Sequence, residues 1–296
     1  MYLPKILLVG ATGNVGQATI RALVNSKAAC EIIAAVRDVE RGKLYLGEYE
    51  ELSYRHFDFD QPSTFAPALE QVDVVFLMRP PSMAEVVPYF KPLIKVLQKM
   101  AIPVVFLSVH GAQRSRLIPH NRIERLIKNH HIPYTFVRPS YFMQNLTTTL
   151  YQDIRDRRRI VLPAGNAILN WIDVEDIAKV LALILVNPAA HHKKIYELTG
   201  SENLDFYQVE EILNRFLRWK IRYRAMNPLS FYWRKRRENY PKDYLFVLTM
   251  MHVLPRFRKR PLVTNDYRLL TGESPSLLQD FAKRNAALLD VKGNDL

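Results

Sequence analysis

Three glycines spaced three residues apart, Gly10, Gly13 and Gly16, lie in the run Gly10-Ala11-Thr12-Gly13-Asn14-Val15-Gly16. Where a strand gives way to a helix, such spacing builds an anion cradle. The first glycine permits the tight turn, the second lets backbone approach a pyrophosphate, and the third lets the helix pack closely. The free N–H groups and the positive end of the helix dipole then face the phosphates. Further on, Val36-Arg37-Asp38 offers a guanidinium that can grip a 2′-phosphate, followed by a carboxylate that could instead bind ribose hydroxyls. His120 and Glu124, four apart, share one face of a helix.

The elements needed to position these residues can be read from the pattern. Lys5 to Val9 is a short apolar run ended by Gly10, and it reads as a buried parallel strand. Asn14 to Asn25 has helical spacing. Strands follow at Glu31 to Val36, Leu52 to Phe57, Val72 to Leu77, Pro103 to Ser108 and Tyr134 to Arg138, with helices at Met83 to Met100 and Ile118 to His130. This alternation demands crossovers and predicts an α/β, Rossmann-type doubly wound parallel sheet over residues 1–150. Residues 151–296 read as a smaller α+β C-terminal lobe that closes the substrate cleft, with strands near 170 and 195 completing the sheet. Helices are expected at Val174 to Val186, Leu204 to Leu217, Leu229 to Glu238, Lys242 to Val253 and Ser274 to Leu288, and a short strand at Lys220 to Arg224.

The glycine spacing resembles the atypical short-chain dehydrogenase/reductases, and the whole chain is similar to the NmrA-like family of NAD(P)H-binding proteins. The resemblance rests on Val9 to Gly16, Val36-Arg37-Asp38 and Val74 to Pro81. It continues through Ile132 to Pro139 with Phe142 and Asn145, Trp171 to Ala178, Leu198-Thr199-Gly200 and Leu270-Thr271-Gly272. It implies that Asp58 and Phe59 hold the adenine, that Met78, Arg79 and Pro80 lie beside the ribose and nicotinamide, and that Pro139, Ser140 and Tyr141 border the nicotinamide. Ser108 ends the fifth strand and belongs to the same set. Arg37 favours NADPH, while Asp38 keeps NADH open. In place of the Tyr-x-x-x-Lys pair of carbonyl-reducing relatives stands His120-Asn121-Arg122-Ile123-Glu124. That pattern resembles the quinone, azo-dye and triphenylmethane reductases, whose conjugated acceptors delocalise the charge that hydride brings. His120 is then either a proton donor with an ordinary pKa near neutrality, or a structural residue. An NAD(P)H-binding redox sensor without turnover is the alternative function.

Composition sets the outer bounds. One cysteine, Cys30, excludes an internal disulfide framework and fits a reducing, cytoplasmic setting. The chain begins without a secretory leader pattern. His130-His131 and His191-His192 lack a ligand set around them, so no metal site is expected. The formal charge of +13 is concentrated between Arg215 and Arg260, where fourteen Lys/Arg face two acids, leaving 28 against 27 elsewhere. That segment has three readings: a solvated face lining the cleft, a surface for an anionic membrane, or a nucleic-acid contact. No helix-turn-helix or zinc-finger spacing supports the last. Oligomeric state and the identity of the small-molecule acceptor are open.

Overall fold

The structure is a computed structural model that describes residues 3–47, 49–80, 83, 85–116 and 118–290, the side chain of Asp243 excepted. β1 (Lys5–Val9) turns through the glycines into α1 (Asn14–Asn25), and β2 (Glu31–Val36) leads to α2 (Val39–Leu46). β3 (Leu52–His56) is followed by the single turn α3 (Phe65–Ala68). Alternation continues through β4 (Val74–Met78), α4 (Val87–Met100), β5 (Val104–Leu107), α5 (Pro119–Asn129) and β6 (Tyr134–Pro139). Then come β7 (Tyr141–Phe142), α6 (Tyr151–Arg157), β8 (Arg159–Leu162), β9 (Leu169–Ile172), α7 (Val174–Val186) and β10 (Lys194–Leu198). β11 (Glu202–Leu204), α8 (Phe206–Phe216) and β12 (Arg222–Ala225) precede four last helices. These are α9 (Pro228–Arg237), α10 (Lys242–Val253), α11 (Asp266–Thr271) and α12 (Leu278–Asp290).

Two compact units result. The first comprises Met1–Pro139, Val174–Leu198 and Leu269–Gly272; the second comprises Ser140–Asp173, Thr199–Arg268 and Glu273–Leu296. The first unit is a Rossmann-type doubly wound α/β fold. Its sheet runs β10-β6-β5-β4-β1-β2-β3, with every pair parallel. Its inner strands β1, β2, β4 and β5 are nearly continuous apolar runs because both faces are covered, while the edge strands β3 and β10 are more polar and more exposed. Leu7 and Val9 join a core with Phe90, Leu93, Ile94 and Leu97 of α4 and Ile123 and Ile127 of α5. Ile6 and Leu8, also buried, point to the other face by the two-residue period. There α1 packs against α7. The chain leaves β1 for β2 and β3 on one side, then crosses back to place β4 beside β1. That reversal opens a crevice at the carboxyl ends of β1 and β4, the switch point where ligands bind in such sheets.

The second unit has its own core, built around the fully buried Trp171 with Phe206, Leu213, Phe231, Leu245 and Phe281. β7, β9 and β11 form a small mixed sheet, and β8 pairs with β12.

Several expectations need correction. The strand near residue 170 does not complete the large sheet: as β9 it pairs with β7 and β11, because Trp171 is buried against Phe206, with ring centroids 5.3 Å apart. The chain leaves the first unit at Pro139 rather than near residue 150, and it returns not only for the strand near 195, β10, which pairs with β6, but also for α7, which covers α1. The helix expected from Met83 starts at Val87, where Pro88 in the first turn suits a helix beginning; Pro81 of the quoted stretch lies outside the described residues. The helix expected from Ser274 starts at Leu278, beyond Pro275. Leu204 ends a strand, and Asp205 begins α8 with a capping box to Gln208.

Candidate functional site

Within the first unit, the loops after successive strands bring the expected residues to one edge of the sheet. Gly10 follows β1, Arg37 follows β2, Asp58 and Phe59 follow β3, Met78 ends β4, Ser108 follows β5 and Pro139 ends β6. Gly10 has φ +84°, a conformation that L side chains rarely adopt, and a Cβ there would overlap the Met78 side chain. A Cβ on Gly16 would sit 2.7 Å from Ala11 Cα and closer still to the Gly10 carbonyl oxygen. The turn is closed by Gly13 N–H donating to Gly10 O at 3.0 Å. α1 has no side-chain cap and no acid in its first turn. Its leading N–H groups and dipole are therefore available to an anion.

The end of β2 resolves the order of Arg37 and Asp38. Asp38 is the N-cap of α2, accepting from Arg41 N–H at 3.0 Å. Its carboxylate is thus engaged by its own helix. Arg37 is exposed and makes no hydrogen bond or ion pair with any described residue. Asp58 organises the following turn, accepting from Asp60 N–H at 3.0 Å. Phe59 packs on Phe57 and Phe90, with centroids 5.2 and 5.0 Å apart. The Arg79 guanidinium folds back onto the carbonyls of Pro80 and Met83.

His120 and Glu124 share a helix face but do different things. The His120 ring is tilted over Phe106 at 6.1 Å. Burial, and secondarily the positive charge of Arg79, push its pKa down to about 3. At neutral pH the ring is then uncharged, unlike an imidazole with the ordinary value of about 6.5. Glu124 is buried and accepts Nε of Arg138 at 2.8 Å, NH2 of Arg138 at 2.6 Å and Ser108 Oγ at 2.6 Å. Arg138 NH1 reaches on to Glu197 at 2.9 Å, and Glu197 faces His110 Nδ1 at 2.9 Å. Burial works against the charge on Arg138, but the bonds to Glu124 and Glu197 outweigh it and raise its pKa. Burial likewise opposes the Glu197 charge, while His110 and Arg138 hold its pKa below the usual range. This network ties α5, β5, β6 and β10 together, and so fixes the helix that carries His120. Arg138, Glu197 and His110 escape pattern reading, yet a charged residue at the end of the apolar strand Tyr134–Pro139 is a signal that could have found them.

In the second unit, Tyr141 stacks edge-on to Trp171 at 4.7 Å, and its hydroxyl lies 3.0 Å from His252 Nε2. His252 Nδ1 is 2.8 Å from the Leu248 carbonyl, which places the ring proton on Nδ1. Nε2 is therefore the acceptor and Tyr141 the donor. Burial pushes His252 down to about 4 and raises Tyr141 above its usual range. Ser140 Oγ donates to Asn170 Oδ1 at 2.6 Å. Among the described residues no cluster of three or more His, Cys, Asp or Glu could hold a metal ion, and no helix is long and apolar enough to cross a membrane. An open depression of about 600 Å³ is lined by Tyr49, Glu50, Leu52 and Ser53. It lies at the amino end of β3, the wrong end of the sheet for the residues above.

The NmrA-like family matches residues 4–254 of this chain. The NAD(P)H azoreductase of Xenophilus azovorans is 27% identical over 294 residues, covering 95% of this chain and 98% of the relative. The Citrobacter sp. triphenylmethane reductase, solved with NADP(H), superposes with TM-score 0.80 at 20% identity, covering 96% and 100% of the two chains. The NADPH-dependent quinone oxidoreductase of Escherichia coli, solved with NADPH, gives TM-score 0.82 at 19% identity, covering 94% and 99%. These two likenesses establish the fold.

Proposed function

Because this chain belongs to the NmrA-like family, we propose that it is an NADPH-dependent reductase acting on a quinone-like or otherwise conjugated small molecule. The observation that carries the reading is the glycine turn at the switch point. It is a cradle that a Cβ at Gly10 or Gly16 would fill, capped by a helix with nothing of its own at its positive end. Gly10, Thr12, Gly13, Asn14, Val15 and Gly16 would hold the pyrophosphate. Arg37 would take the 2′-phosphate, a choice supported by the commitment of Asp38 to α2. NADH lacks the group that Arg37 would meet. Asp58 and Phe59 would flank the adenine, Met78, Arg79, Pro80 and Ser108 the ribose and nicotinamide, and Pro139 the reactive ring; Ser140 and Tyr141 are carried over from the family resemblance.

The nucleotide supplies hydride when bound. The residues of this chain hold it, orient it and exclude water. A neutral His120 can accept or donate a hydrogen bond at the acceptor without giving up net charge. That suits conjugated acceptors, in which added charge spreads over the ring system and a proton can arrive from solvent. The three named relatives act on azo, triphenylmethane and quinone compounds, all conjugated.

A second reading is favoured by the same groups: His120 holds no spare proton and the Tyr141 hydroxyl is engaged by His252. The chain would then bind NAD(P)H and signal its redox state without turnover. Loss of reduced-nicotinamide absorbance is to be followed with a panel of quinones, azo dyes and triphenylmethane dyes. Turnover with at least one supports the reductase. Micromolar NADPH binding without turnover on any acceptor supports the sensor. A melting curve unmoved by either reduced nucleotide removes both.

A further inference from the structure

We infer that α9, α10 and the segment through Val263 form a docking surface for an anionic lipid bilayer. The inference is independent of the cofactor reading. α10 carries apolar residues on two opposite sides beyond its first turn. Leu245, Leu248, Thr249 and His252 bury one side in the core of the second unit. Phe246, Val247, Met250, Met251 and then Leu254 fall on the opposite side by helical spacing, and all but the half-buried Met250 are exposed. A helix apolar on both faces is built for burial on both. α9 repeats the theme: Phe231 is buried, while Leu229, Trp233 and Arg237 form a stripe at four-residue spacing on the other side. Phe246 is 62% exposed, Trp233 64% and Phe257 80%.

Basic side chains without a counter-ion belong to the same segment. Arg237, Arg256, Arg258, Lys259 and Arg260 make no ion pair with any described residue. Glu238 is occupied by Lys235 at 2.7 Å, with Arg157 and Arg234 nearby. The basic run is held in place rather than loose. Asn203 Nδ2 donates to the Pro261 carbonyl at 2.8 Å, and Thr264 N–H donates to Thr199 Oγ1 at 2.9 Å. Leu262, 78% exposed, follows the run directly.

Charge and chemistry select the occupant. A second copy of this chain would bring like charge against like. Nucleic acid would satisfy the cations but offer nothing to Leu229, Val247, Met251, Leu254 and Leu262. An anionic bilayer answers both needs, since lipid phosphates meet Arg and Lys while aromatic and aliphatic side chains enter the headgroup boundary.

The full chain is to be sedimented with vesicles of phosphatidylcholine alone and with vesicles containing phosphatidylglycerol. The chain is expected to pellet with the anionic vesicles only, to be released by salt, and to show a blue shift in emission that Trp233→Phe removes. Replacing Arg258, Lys259 and Arg260 with serine should weaken partitioning on the order of a hundredfold, at roughly 1 kcal/mol per cation. The exposed pair Phe246→Ser and Met251→Ser should weaken it on the order of tenfold with the melting temperature unchanged. Four results would each overturn the proposal. They are no pelleting with anionic vesicles, equal pelleting with neutral ones, partitioning indifferent to the Phe246/Met251 pair, and a dimer in sedimentation equilibrium that the same pair dissolves. Displacement by duplex DNA at equal phosphate would mean a general polyanion surface and would also overturn it.

Discussion

The two units differ in where their charge gathers. In the first, Glu124, Arg138, Glu197 and His110 are gathered into one network at the carboxyl ends of β5, β6 and β10. In the second, the centre is aromatic: Tyr141, Trp171, Phe206 and Tyr223 meet ring to ring around His252, and the buried carboxylates are paired elsewhere, Asp153 with Arg157 and Lys235 and Asp173 with Arg284. A parallel sheet covered on both faces leaves little freedom except at its strand ends, so polar function collects there. A small mixed sheet wrapped by helices is not bound to that arrangement of strand ends.

The sharpest way to break this contrast is to take the guanidinium out of the first unit. Arg138→Met leaves two carboxylates facing each other in a buried site and should cost about 3–5 kcal/mol in urea unfolding. A cost below about 1 kcal/mol would mean the network is not what holds those strand ends. The counterpart in the second unit is His252. Its folded pKa, about 4, lies below the ordinary 6.5, so the unfolded chain binds more protons between those values. The contribution of His252 is therefore constant above pH 6.5 and falls as pH drops towards 4, by about 3 kcal/mol. Melting temperature against pH should show this decline, and His252→Gln should make it shallower while the part due to His120 remains.

Arg37→Ala tests the nucleotide side and should weaken NADPH binding by about 2 kcal/mol while sparing NADH. Equal loss in titrations with both would remove Arg37 from cofactor selection. The smallest effect is expected at the α8 cap, where Asp205→Ala should destabilise by about 1 kcal/mol in thermal unfolding and leave nucleotide affinity unchanged.

The first unit was open to reading because its physics is local. Apolar runs ended by Gly10 or Pro139 can only be buried strands, and the span Glu31–Val36 follows directly from the residues. α2 was hidden because Gly42 interrupts a short, charged stretch, and only the packing of Gly42 against Val36 explains the residue. β8, β11 and the true place of β9 were hidden for another reason. A four-residue strand takes its identity from its partner, and β12 and β7 lie far away in sequence. At the site, residue types and their placement after each strand could be anticipated, but protonation could not. The low pKa of His120 depends on burial and secondarily on Arg79, and the engagement of Tyr141 depends on a histidine 111 residues later.

The route of the chain through the first unit has a consequence for biogenesis. β6 emerges from the ribosome with a bare edge, and its neighbour β10 is made only after β7, α6, β8 and β9 of the other unit. A fragment ending near residue 150 would keep every residue of the glycine turn yet lack both the strand that seals that edge and the helix that covers α1. An open apolar edge of this kind recruits other chains. A chain stopped short of Leu198 would therefore still present that edge.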